Sequence, residues 1–191
     1  MGKYIYRARF KEFNRGKVLY DYLVSIDLEP ISIGRLPTVK ELEDKIPNNL
    51  ENHKYIYNNS FCFGIGLHER IIYRKMMADF GWFIEKQIKG FLSAAAHMDM
   101  FGVWGAEEFS HDELKARQES ITRLTGFYNF TKSGIDLFEK NILTNEGYCY
   151  CGSNKQFRDC HLKMFNEDSE SIVRNDILKE ISLIRSLIKG F

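Results

Sequence analysis

Residues 4–26 read YIYRARFKEFNRGKVLYDYLVSI, and this stretch decides the fold class. Tyr4, Tyr6, Ala8 and Phe10 alternate with Ile5, Arg7 and Arg9, the two-residue period of a strand. Asn14-Arg15-Gly16 carries turn chemistry, and Val18 to Ile26 is again rich in branched and aromatic residues. A hairpin or short antiparallel meander is expected, with Ile31-Ser32-Ile33 as a further strand before Gly34. Thr38 and Glu41, behind Leu36-Pro37, have capping-box spacing, so a short helix is expected there, closed at Pro47-Asn48-Asn49.

From residue 69 the apolar period lengthens to that of a helix. Tyr73, Met77, Phe80, Ile84, Ile88, Phe91 and Ala95 recur every three or four places and predict one long apolar stripe, with Gly81 and Gly90 as its breaking points. Ser110 and Glu113 form a second capping-box pair, before a helix carrying Leu114, Ile121 and Leu124 and ending near Gly126. A shorter helix is expected from Gly134 to Leu143. Val173, Ile177, Ile181, Ile184 and Ile188 predict a terminal amphipathic helix with an acidic first turn (Glu167, Asp168, Glu170), as the helix dipole favours. Strands first and helices afterwards make the fold class α+β. The expected division is a main domain over 1–145, a small module over 146–165 and a terminal helix over 166–191.

The chain has 191 residues, 44% hydrophobic and 14% aromatic, with three prolines, enough to bury a full core. Twenty-seven basic residues against 26 acidic ones leave a net charge of +1, so no global field favours nucleic acid or an anionic membrane. No stretch approaches the roughly 20 apolar residues of a membrane span. The N-terminus lacks the apolar core of a secretion signal, and a cytoplasmic protein is expected.

The chemistry is concentrated in Cys149-Tyr-Cys151-Gly-Ser-Asn-Lys-Gln-Phe-Arg-Asp-Cys160-His161. Cys149 and Cys151 are too close to bridge one another easily, whereas both can face one ion if the residue between them loops outward. Gly152 and Ser153 allow the turn that swings Cys160 and His161 back. Three thiolates and an imidazole close the tetrahedral sphere of zinc and leave no position for substrate, so the expected role is structural. Ordinary buried cysteines, or one redox pair with a spare, are the competing readings. Three of the chain's four cysteines clustering beside a histidine argue against both. The run resembles the SEC-C motif, a zinc-binding element at the C-termini of many otherwise unrelated bacterial proteins, over residues 147–163.

The fourth cysteine lies in Asn58-Asn59-Ser60-Phe61-Cys62-Phe63-Gly64-Ile65-Gly66, between the strands and the long helix. Asparagines, serine and glycines are loop chemistry, and backbone amides or His53 near such a loop activate a thiol. A buried cysteine between Phe61 and Phe63 is the alternative. Each of His53, His68, His97 and His111, taken alone, reads as a solvated or structural histidine.

The order of strand meander, His-containing approach segment, Ser-aromatic-Cys-aromatic-Gly turn and long helix resembles the ubiquitin-conjugating enzymes. The likeness is to their divergent bacterial lineage in CBASS-type anti-phage signalling operons. The segments that carry it are His53, Ser60-Phe61-Cys62-Phe63-Gly64 and Trp104-Gly105-Ala106-Glu107-Glu108-Phe109-Ser110-His111. Members of that lineage often end in a SEC-C motif. The chain departs from the family in having no His-Pro-Asn triplet before Cys62, with Asn58 and Asn59 as the available substitutes, and in an extra residue between Trp104 and His111. The resemblance implies a ubiquitin-conjugating-like fold and a catalytic Cys62, with His53 and His111 in its site. It further implies a thioester to the C-terminus of a ubiquitin-like protein or a cyclic-oligonucleotide synthase, with the need for a separate activating enzyme left open. The competing expectation is a non-catalytic zinc-binding adaptor with Cys62 buried.

Overall fold

In a computed structural model of the chain, residues 4–49, 52–55, 58–106, 110, 112–165 and 170–188 are described. They divide into two compact units, Met1–Gly64 with His68–Glu108, and Ile65–Leu67 with Phe109–Phe191. The boundaries expected at 145/146 and 165/166 both fall inside the second unit.

Strands β1 (Ile5–Asn14) and β2 (Lys17–Asp27) form the predicted hairpin, antiparallel, with a register shift between Glu12 and Phe13. Arg15 and Gly16 at its tip both take positive φ, 48° and 77°, as a two-residue type I′ turn requires. On β2, Tyr20, Tyr22, Val24 and Ile26 point inward in strict alternation. β1 buries only Phe10, with Ala8 packed against the core, and leaves Tyr4 and Tyr6 exposed.

The two short elements that follow differ from expectation. Ile31-Ser-Ile33 belongs to a 3₁₀ helix, Glu29–Ile33, because Pro30 presets a helical φ at its start and Gly34 closes it at φ 75°. Thr38–Glu41, expected as a helix, is strand β3, antiparallel to β2 with Ile26 opposite Val39. So short a run cannot meet the cost of helix nucleation, whereas β2 offers a ready ladder. The Glu41 carboxylate instead accepts from the Glu43 and Lys45 amides at 2.6 and 2.9 Å, shaping the turn after the strand. The sheet order is β1-β2-β3, and β4 (Lys54–Tyr55) with β5 (Ser60–Phe61) makes a separate two-stranded ribbon.

Helix α1 (Leu67–Ala78) stops at Asp79, whose extended backbone and side chain cap the next helix by accepting from the Trp82 amide at 3.0 Å. The break therefore comes from an N-cap, not from Gly81 or Gly90. α2 (Phe80–Trp82) continues through a π-helical segment, Phe83–Ile88, into α3 (Lys89–Phe101). The wider turn puts Phe83 and Ile88, five residues apart, in the core together. The expected stripe fails ahead of this segment, at the Asp79 break, where Met77 and Phe80 are exposed, while Ile88 and Phe91 are buried as expected.

The second unit is helical around the cysteine-rich segment. α4 (Glu113–Thr125) starts on Asp112, whose carboxylate accepts from the Lys115 amide at 2.8 Å. Ser110, the expected cap, instead accepts from the Asp112 amide. α5 (Lys132–Thr144) starts on Thr131 and ends at Asn145. α6 (Glu170–Leu187) buries Ile177, Ile181 and Ile184 as its periodicity predicts, while Glu167 and Asp168 lie outside the described residues. Arg117 joins α4 to α6 by a 2.6 Å bond to the fully buried Glu180, and Arg185 joins α6 to Asp136 and Glu139 of α5.

Gly134, in the first turn of α5, lies where an added Cβ would meet the carbonyl oxygen of Asn129. Helix propensity alone gives Gly134→Ala a gain of about 1 kcal/mol. The backbone clash reverses the sign, and a loss of about 1–3 kcal/mol is expected, read as a lowered denaturant midpoint.

Candidate metal centre and the Cys62 hairpin

The cysteine-rich segment is a tight knuckle. Tyr148 and Gln156 form an isolated antiparallel bridge, and the Cys149 amide donates to the Lys155 carbonyl at 2.8 Å. Gly152 and Asn154 turn the chain at φ 72° and 57°. A 3₁₀ turn, Phe157–Asp159, then brings the Cys160 and His161 amides to the Phe157 carbonyl, both at 3.1 Å.

This folding gathers Cys149, Cys151, Cys160 and His161 with their ligand atoms all within 4.8 Å of one another, so the four could hold a metal ion. His161 Nδ1 lies 3.2 Å from Cys149 Sγ and 3.1 Å from Cys160 Sγ, and Cys151 and Cys160 Sγ are 3.7 Å apart. A tetrahedral ion with bonds of about 2.3 Å to sulfur and about 2.05 Å to nitrogen has edges of about 3.8 Å between sulfurs and about 3.6 Å from sulfur to nitrogen. The sulfur edge fits, and the imidazole need withdraw only slightly.

Cys149 is buried, which pushes its thiol up to about 12, whereas the Ser153 hydroxyl, 3.1 Å from Cys151 Sγ, holds that thiol down to about 7. A divalent cation would supply the charge that ionises both, with release of protons. The residue between the first two ligands does not loop outward as expected. Tyr150 is buried, with its hydroxyl donating to the Thr125 carbonyl and its ring edge-on to Phe138, centroids 4.8 Å apart. Its ring also lies 4.9 Å from that of His161, so Tyr150 ties the knuckle to the core of the second unit.

The Cys62 segment is organised by the β4–β5 ribbon. Lys54 pairs with Phe61 and Tyr55 with Ser60, and the Cys62 amide extends the ladder by donating to the His53 carbonyl at 2.7 Å. Residues paired across a ladder share a face. Lys54 and Phe61 therefore go to one face, where both are buried: Phe61 stacks on Phe91 at 4.0 Å and Lys54 Nζ donates to the Ile46 carbonyl at 2.8 Å. Tyr55, Ser60 and Cys62 take the other.

There the half-buried Cys62 sulfur lies 3.4 Å from the Tyr55 hydroxyl and 3.6 Å from the Gly64 carbonyl. The His53 ring lies against Trp104, centroids 4.7 Å apart, and Trp104 packs edge-on to Phe91 at 5.2 Å. Asn58 is occupied in the turn, accepting from the Ser60 amide and hydroxyl at 3.0 and 2.7 Å. Asn59 Oδ1 is buried with no hydrogen-bond partner among the described residues.

The structure thus brings His53, Cys62 and Trp104 together, the His53 carbonyl accepting from the Cys62 amide and the His53 ring lying on Trp104. His111 lies outside the described residues. Sequence reasoning missed Tyr55, although the alternation His53, Tyr55, Ser60, Cys62 about the Asn58-Asn59 turn carries the signal. No helix of the described residues is long and apolar enough to cross a membrane. In comparisons with known proteins, the chain matches no protein-family model, no curated protein and no solved structure.

Cobalt(II) added to metal-stripped protein is expected to give the absorption of a tetrahedral thiolate complex at one ion per chain. Cys160→Ser should weaken that binding by more than the roughly tenfold typical of outer-shell losses.

Proposed function

We propose that the chain is a ubiquitin-conjugating-like transfer enzyme of bacterial anti-phage defence, cytoplasmic, with a structural zinc centre of the SEC-C type. The observation that carries this reading is the convergence of three separated segments in the first unit. His53 holds the Cys62 amide through its carbonyl, and Trp104 lies on the His53 ring. They are the segments in which the sequence resembles that lineage, and these contacts link them in the first unit beside Cys62.

Cys62 thiolate attacks the carbonyl carbon of a donor thioester on an activating enzyme, at the C-terminus of a ubiquitin-like protein or a cyclic-oligonucleotide synthase. The new C–S bond forms as the donor sulfur leaves with its electron pair. An acceptor amine then attacks the same carbon, loses a proton and expels Cys62 as thiolate. A thioester is already reactive, so holding sulfur and carbonyl in register supplies most of the acceleration. The His53 carbonyl bond sets the position of the Cys62 backbone, and the stacked ring of Phe61 keeps the ribbon in place. When bound, zinc would cross-link Cys149, Cys151, Cys160 and His161 with all four tetrahedral positions filled, which suits a structural role. The thiolate set also suits a reducing compartment.

Co-expression with the activating enzyme and the carried protein is expected to give an adduct at Cys62 that reducing agent removes. Cys62→Ala should abolish it and Cys62→Ser should leave a more stable oxyester. Because the His53 carbonyl that accepts from the Cys62 amide survives the substitution, His53→Ala should slow transfer only a few-fold. An adduct that persists in Cys62→Ala would sink the reading and leave the chain as a zinc-binding adaptor.

A further inference from the structure

We propose that the Tyr55 hydroxyl is the hydrogen-bond donor that holds and activates the Cys62 thiolate, an inference that rests on the transfer reading above only for its use in catalysis. The geometry comes from register. Tyr55 pairs with Ser60, two residues before Cys62, so its side chain is the diagonal neighbour of Cys62 on the same face of the ribbon. The turn fixes Tyr55 further, since its carbonyl accepts from the Asn58 and Asn59 amides at 3.2 and 2.8 Å.

Among the described residues the sulfur has two polar neighbours, of different character. The Gly64 carbonyl, at 3.6 Å, can only accept, and so it suits the protonated thiol. The Tyr55 hydroxyl, at 3.4 Å, accepts from the protonated thiol, and rotation of its O–H lets it donate once the sulfur is a thiolate. Ionisation turns the first contact repulsive and strengthens the second, because a hydrogen bond to a charged acceptor is roughly twice as strong as a neutral one. A phenol ordinarily ionises near pH 10, so it keeps its proton at neutral pH and acts as donor, not base.

The His53 ring lies on Trp104, and Lys54 leaves by the opposite face to the Ile46 carbonyl. The His68 imidazole fills the space where Gly64 has no side chain. During acyl transfer the proton stays on Tyr55 while the sulfur's electron pair goes to the carbonyl carbon and later returns.

The test is iodoacetamide alkylation of the full zinc-loaded chain, followed on the Cys62 peptide by mass spectrometry as a function of pH, in wild type and Tyr55→Phe. The expected result is a rate profile moved to higher pH, with the neutral-pH rate down about three- to tenfold and the thermal midpoint retained. An unmoved profile overturns the role of Tyr55. Because no partner protein enters the assay, that failure is distinct from failure of the transfer reading, which the Cys62 adduct decides. Should Tyr55→Phe not fold, ¹³Cζ-tyrosine NMR provides the same test. The Tyr55 resonance should follow Cys62 ionisation in wild type and lose that response in Cys62→Ala, and a response identical in both proteins overturns the proposal.

Discussion

Strand β2 is the constraint on which the first unit depends. It is paired on both sides, and Tyr20, Tyr22, Val24 and Ile26 share its inward face. Burying side chains of this size contributes about 1.5–3 kcal/mol each, so four in alternation fix the register as well as the stability. A slip of one residue would turn all four to solvent. β3 forms where it does because β2 is already in place, and Glu41, once paired, is free to organise the turn beyond it.

In the second unit the corresponding element is a single side chain. Tyr150 lies between two candidate ligands in sequence and points into a cluster with Phe127, Phe138 and Phe157. Its burial anchors the turn from which Cys149 and Cys151 reach His161, whose ring lies 4.9 Å from its own. The ligand geometry is therefore prepared by hydrophobic packing before any ion is considered. The ion would add the cross-link to Cys160 and His161, residues already brought round by the turn at Phe157. This division of labour suits a small element with little core of its own.

What could be read from the sequence follows the range of the physics. The β1–β2 hairpin, the inward face of β2, the buried isoleucines of α6 and the four-residue ligand set are local patterns, and each stands where its spacing places it. Thr38–Glu41 misled because a capping-box spacing in four residues carries less free energy than a neighbouring strand edge, which only the fold reveals. The apolar stripe misled at Met77 and Phe80 because a single 3.6-residue period cannot anticipate the new helix start at Asp79. Lys54, fully buried beside phenylalanines, is invisible to any rule that puts lysine outside, since its acceptor, the Ile46 carbonyl, comes from another loop. Around Cys62, the cysteine and His53 were legible as a pair, whereas the role of the His53 backbone and the approach of Tyr55 depend on the register of a ribbon two residues long.

The π segment has a further meaning when the helix is viewed as a length of chain. A π turn is an α-helix carrying one surplus residue, and each residue advances the helix by about 100°. Phe91, three residues beyond the segment, bears Phe61, Phe63 and Trp104, the aromatic rings that seat the Cys62 ribbon. Its angular position is thus set by a count and not only by the chemistry of residues 83–88. Apolar exchanges at Phe83 and Ile88 are changes such a design tolerates. Gain or loss of a single residue there would swing Phe91 about a quarter-turn around the helix, so the length of this stretch is under tighter restraint than its composition.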